Sequence, residues 1–147
     1  MSAAPARQDA ALIDSSVVLA SLDPDEAHHP ACDQLLAQGG HLLYVHGLAE
    51  TFSILTGGRH GRRLRPATAT ALIKDSVLPF VQLVSLNGRE LMAALETADA
   101  RGVRGGAVYD LLHLAAARKA GAARLLTLDR RDFQALAQPG DPRIESP

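Results

Sequence analysis

Gly106-Ala-Val-Tyr-Asp-Leu-Leu-His-Leu-Ala-Ala-Ala-Arg118 reads as a helix that is apolar almost all the way round. Such a helix belongs between other elements rather than on a surface. Asp110, near its start, is the exception. Burying an ionised carboxylate is costly unless it is paired or holds a metal, and no Lys or Arg follows Asp110 within a turn. Its partner must come from elsewhere in the fold.

Working outward, short apolar runs alternate with helical patterns. Strands are expected at residues 11–13, 41–45, 81–86 and 124–128, each brief, apolar and bounded by turn residues. Helices are expected at 15–22, 26–38, 48–56, 66–77, 88–100 and 106–120. Gly39-Gly40, Gly57-Gly58 and Gly121 fit helix stops, Asn87 an N-cap, and Pro66 a first-turn position. Pro142-Arg-Ile-Glu145 offers one more short strand. Strands separated by helices imply right-handed crossovers. The expected fold is a three-layer α/β/α sandwich on a mainly parallel sheet of four to five strands.

That architecture collects ligands beyond the carboxyl ends of its strands. Asp14 and Asp129 are each the first acid after a strand, Glu50 lies early in the helix after the second strand, and Asp110 lies early in its own helix. All four can reach the same end of the sheet. Carboxylates packed together raise one another's pKa, and a hard divalent cation relieves the repulsion. An oxygen-only donor set favours magnesium or manganese over zinc or copper. Such ions take substrate phosphates and activate water for in-line displacement at phosphorus. Each acid also has a plainer reading. Asp14 and Asp129 can cap the helices that follow them, and Glu50 can be a solvated helix residue.

The totals agree with this reading. The chain has 147 residues, 47% of them hydrophobic, enough for one ordinary core over residues 11–147, with 1–10 as a frayed tail. Cys32 is the only cysteine, which excludes an internal disulfide or a cysteine-based zinc site and suits a reducing cytoplasm. A formal net charge of −1 excludes a wholly basic nucleic-acid binder. No apolar run reaches the ~20 residues of a membrane span.

Leu12-Ile-Asp-Ser-Ser-Val-Val-Leu19, Ala49-Glu-Thr-Phe52, Tyr109-Asp-Leu-Leu-His-Leu-Ala-Ala-Ala117 and Leu125-Leu-Thr-Leu-Asp-Arg-Arg-Asp-Phe133 resemble, in order, the motifs of PIN-domain ribonucleases. The likeness is in particular to the VapC toxins of bacterial toxin–antitoxin pairs, and it runs from Ala11 to Phe133. It implies magnesium- or manganese-dependent cleavage of RNA, a homodimer, and inhibition by a VapB-type antitoxin. By position, Asp14, Glu50, Asp110 and Asp129 match the acidic catalytic and metal-binding set. Ser16 matches the small hydroxyl residue after the first acid, and Thr127 the hydroxyl before the last. The final motif offers both Asp129 and Asp132. Asp129 directly ends the strand and is the expected ligand, which Asp132 can join or replace.

Other residues are open to two readings. His113 is either a satisfied core histidine or a partner of metal-bound water or substrate. Arg59, Arg62 and Arg63, in the run Gly57–Arg65, either grip RNA phosphates or belong to a solvated loop. Two Tyr, three Phe and no Trp leave few base-stacking platforms. The rival functions are a PIN-like RNA-processing nuclease without an antitoxin and a catalytically idle PIN fold that binds RNA or protein. A signalling receiver domain is excluded: serines follow Asp14, and the only lysines, Lys74 and Lys119, fall in helical stretches.

Overall fold

The computed structural model describes residues 10–58, 61 and 63–147. Residues 1–9 of the expected tail, and Arg59 and Arg62, lie outside the described residues. The strands are β1 (Ala11–Ile13), β2 (His41–Tyr44), β3 (Val81–Val84), β4 (Arg124–Leu126) and β5 (Arg143–Glu145). They form one sheet in the spatial order β3-β2-β1-β4-β5, and every pairing is parallel. The helices are α1 (Ser15–Leu22), α2 (His29–Ala37), α3 (His46–Thr56), α4 (Pro66–Ser76), α5 (Gly88–Glu96), α6 (Ala98–Arg101), α7 (Val108–Lys119) and α8 (Arg130–Leu136).

Alternate residues of β1 serve opposite faces, as the pleat requires. Ala11 and Ile13 pack with Leu43, Leu126, Val17, Val18 and Ile73 beneath the helices α1 to α4. Leu12 packs with Leu42, Leu125, Leu111, Leu114 and Phe133 beneath α5, α7 and α8. The sandwich thus has its apolar material on both faces of a sheet whose central strand is wholly buried. Leu12 is 0% exposed, and a buried leucine of this kind costs about 2–5 kcal/mol when cut to alanine.

Several boundaries differ from expectation for local reasons. The helix expected from Glu26 begins at His29, because Pro30 in a helix interior would clash with the Glu26 carbonyl. Within the first turn Pro30 is harmless, since no amide there needs an intrahelical partner. The span expected at 88–100 splits into α5 and α6 at Thr97, whose hydroxyl turns back to the Ala94 carbonyl at 2.7 Å. Asn87 does cap α5, reciprocally with Glu90. The second strand stops at Tyr44, and Val45 already has helical backbone angles as the cap of α3. Gly47, inside α3, lets that helix sit close to the sheet: a Cβ there would stand 2.8 Å from Leu43 Cδ1.

Candidate active site

Because β1 and β4 are neighbours, the residues that leave them emerge side by side at the C-terminal edge of the sheet. The Asp14 amide donates to the Leu126 carbonyl at 3.2 Å. The Asp14 side chain is both cap and cluster member. Its Oδ1 accepts from the Val17 amide at 3.3 Å and the Ser16 hydroxyl at 2.5 Å. Its Oδ2 accepts from the Thr127 hydroxyl at 2.6 Å. A carboxylate offers about four acceptor positions, so this one keeps capacity for a further contact. Burial pushes its pKa up, and the bonds from Ser16 and Thr127 only partly offset that.

Ser16 and Thr127 stitch the two strand ends together. The Leu128 amide donates to Ser16 Oγ at 3.0 Å, and the Asp129 amide to Thr127 Oγ1 at 2.9 Å. Asp129 stands at the cap position of α8 but makes no side-chain cap bond, so its exposed carboxylate is free for another use. Burial raises its pKa, as does the charge of Asp132. Asp132 is an exposed residue in the first turn of α8.

Asp110 is half-buried in the first turn of α7. Among the described residues, no ion pair or side-chain hydrogen bond reaches it. Burial lifts its pKa to about 6, and the charges of Asp14, Asp129 and Asp132 add to the rise while His113 opposes it. Four aspartates thus share one electrostatic neighbourhood. Among the described residues, no three acids or histidines converge tightly enough in this conformation to close around a single ion.

Glu50 adjoins this neighbourhood from α3. It enters through His113, whose Nε2 lies 2.6 Å from Glu50 Oε1, and the Ser15 hydroxyl donates to Oε2 at 3.2 Å. Burial alone would raise the Glu50 pKa, but the bond to His113 and its charge, with Ser15, hold it below the ordinary value. His113 is buried. It is a core histidine whose partner is a site acid. Around it stand Tyr44, edge-on at 5.5 Å, and His46, which stacks on Tyr109 at 5.0 Å and 8°.

The acids open onto two clefts. Asp110 and Asp132 line one of about 450 Å³ with Gly106 and Ala107. Asp129 and Ser16 line another of about 470 Å³ with Leu19, Leu22 and Ile54. Arg63 lies just beyond α3, where the Leu64 amide folds back to the Leu55 carbonyl at 2.9 Å.

The PIN-domain family model matches residues 11–139. The chain belongs to the PIN-domain family. This PIN domain is 34% identical over 119 residues to Ribonuclease VapC40 of Mycobacterium tuberculosis, covering 80% of this chain and 85% of that protein. Its fold is similar to that of M. tuberculosis VapC20, described as a sarcin-ricin loop cleaving toxin. The TM-score there is 0.67 at 24% identity, over 86% of this chain and 95% of that one. DNA-bound VapBC from Salmonella typhimurium has a TM-score of 0.66 at 14% identity, over 93% of this chain and 97% of that one. What the acid pattern of this PIN domain left unread is the support around Glu50. Ser15, His46 and Tyr109 carried no signal of their own. The one available clue was spacing, since Tyr109 and His113 stand four apart and share a helix face.

Proposed function

We propose that this chain is a toxin of the VapC kind: an endoribonuclease that needs magnesium or manganese and is neutralised by a VapB-type antitoxin. The observation that carries the reading is the joint placement of Asp14, Asp110 and Asp129 at one edge of the sheet, with charges that raise the pKa of Asp110. Asp110 and Asp129, with the free capacity of Asp14 and with Asp132 beside them, are the oxygen donors that would hold the cation. Glu50 completes the acidic set. A divalent cation bound there supplies an acidified water and neutralises charge at the phosphate.

The chain's own residues prepare that site. Ser16 and Thr127 fix the Asp14 carboxylate so that it need not reorganise. His113 and Ser15 keep Glu50 ionised and oriented. The N-termini of α1, α3, α7 and α8 meet the same edge, where helix dipoles favour negative charge, including that of phosphate. A homodimer is part of the same proposal. Relatives named as a ribonuclease and as VapBC complexes support the substrate class and the antitoxin.

The purified chain is expected to cut RNA with magnesium or manganese, leaving 5′-phosphate and 3′-hydroxyl ends, and to stop when EDTA is added. Asp110→Asn is expected to lower the rate by at least about 10²-fold. Cleavage undiminished by chelation would remove the metal from the mechanism, and absence of cleavage with either cation would remove the nuclease. Co-expression with the product of an adjacent small reading frame should yield a stable, inactive complex.

A further inference from the structure

The helices α3 and α7 face each other at the C-terminal edge of the sheet as a two-rung ladder. The inner rung is Glu50 with His113, hydrogen-bonded at 2.6 Å. One turn nearer the helix N-termini, at i−4 on both helices, the outer rung is His46 with Tyr109, their rings parallel within 8° at 5.0 Å between centroids. Exposure rises steeply outward, from 1% at His113 to 46% at Tyr109. Tyr44 supports the ladder from beneath, 6.2 Å from His46 and 5.5 Å from His113.

This chain has five aromatic residues beside its histidines. Tyr44 and Phe133 are buried, Phe52 packs against the core, and Phe80 precedes β3 at the opposite edge of the sheet. Among the described residues, Tyr109 alone presents a Tyr or Phe ring to solvent at the edge where the acids gather, and it is the residue next to Asp110. An exposed tyrosine would ordinarily lose rotamer freedom on gripping a ligand. Here His46 already holds the ring flat.

On the reading above that the acids cut RNA, we propose that the open face of Tyr109, backed by His46, is a stacking platform for one unpaired nucleobase beside the scissile phosphate. The substrate class is therefore RNA whose base at that position is splayed out of a helix, since a paired base offers no free face to a side chain. The phosphate reaches the acids only if the neighbouring base finds the ring. Tyr109 and His46 are then positioning residues that select unpaired sites.

The test uses the full chain carrying Asp110→Asn, to prevent cleavage, and a short single-stranded RNA spanning a site the wild type cuts. Copies of that RNA carry an abasic nucleotide at each position around the cut. One abasic position is expected to weaken binding by about 5- to 150-fold, the worth of one base–aromatic stack. Tyr109→Ala is expected to weaken intact RNA by the same factor and to become indifferent to that abasic replacement. Tyr109→Phe keeps the ring and is expected to restore both the affinity and the abasic sensitivity. Tyr109→Ala that binds intact RNA like its parent, or losses that simply add, would overturn the platform while wild-type cleavage leaves the nuclease standing. A shift of Tyr109→Ala to monomer in sedimentation, with RNA affinity per protomer unchanged, would assign the ring to contact with a second copy. Failure of the wild type to cut any RNA would overturn the nuclease and the platform together.

Discussion

The Thr127 hydroxyl donates to Asp14 Oδ2 at 2.6 Å across 113 positions of chain, and Thr127 Oγ1 in turn accepts from the Asp129 amide at 2.9 Å. One hydroxyl therefore sets the spacing of two site acids that come from opposite ends of the sequence.

Replacing Thr127 with Val keeps the volume but strips both bonds from a residue that is 0% exposed. A buried carboxylate oxygen and a backbone amide lose their partner, at a cost of about 1–3 kcal/mol. Thr127→Ser keeps the hydroxyl and is expected to lose less. Urea unfolding of the two variants checks this, and equal stability would show that the hydroxyl carries no such weight.

His113→Gln keeps a donor within reach of Glu50 but removes the imidazole charge. Cleavage is expected to fall about 10- to 100-fold, as for other residues that orient a site carboxylate. Because His113 pulls down the pKa of Asp110 as well as that of Glu50, the acid limb of the rate profile is expected to move to higher pH. A lower rate on an unshifted pH profile would mean that His113 acts only through packing.

Stability should record the strain on Asp110. Its pKa is raised from 3.8 to about 6 in the fold. Between those values the folded state binds the extra proton, so stability falls as pH rises. The penalty is absent below the unfolded value and complete above the folded one. After discounting for its partial exposure it is on the order of 1–2 kcal/mol. Asp110→Asn is expected to flatten that part of the profile, so that the variant gains on the wild type between pH 4 and pH 7 in the absence of metal. Parallel profiles from denaturant titrations would contradict the shift.

A cation that binds the folded acids raises the melting temperature by mass action, with a gain that follows RT ln(1 + [L]/Kd). The wild type is expected to gain stability with magnesium or manganese, and more at pH 7 than at pH 5, where Asp110 is mostly protonated. Asp110→Asn is expected to respond little at either pH. Calorimetric melts across a concentration series decide it: a wild type indifferent to both ions excludes the acids as a cation site.

The alternation of short apolar strands with helices was legible because each strand of a covered parallel sheet must be apolar on both faces. Helix α1 begins and ends where its residues say, with Asp14 as its cap. The acids could be placed at one edge because Asp14 and Asp129 each follow a strand, and in a parallel sheet all strand ends share that edge. The pairing of Glu50 with His113 could not be read, since 63 positions separate them and neither carries a local mark of the other. Thr97, which divides the span expected at 88–100, is an ordinary helix residue until its hydroxyl turns back to the backbone. Asp110 stands out in the sequence as a charge in an apolar helix, and the fold leaves it half-buried rather than enclosed.

The pairing of β1 with β4 also orders events in time. During synthesis Asp14 emerges early, yet the strand that completes its surroundings is added only after most of the chain has been made. At ~5–20 residues per second, the 113 positions between Asp14 and Thr127 take roughly 6 to 23 seconds to build. Throughout that interval the nascent polypeptide lacks both the Thr127 hydroxyl and Asp129. A chain that stops before Thr127 therefore ends without the hydroxyl that fixes the Asp14 carboxylate, and the acidic edge is assembled only once translation is nearly finished.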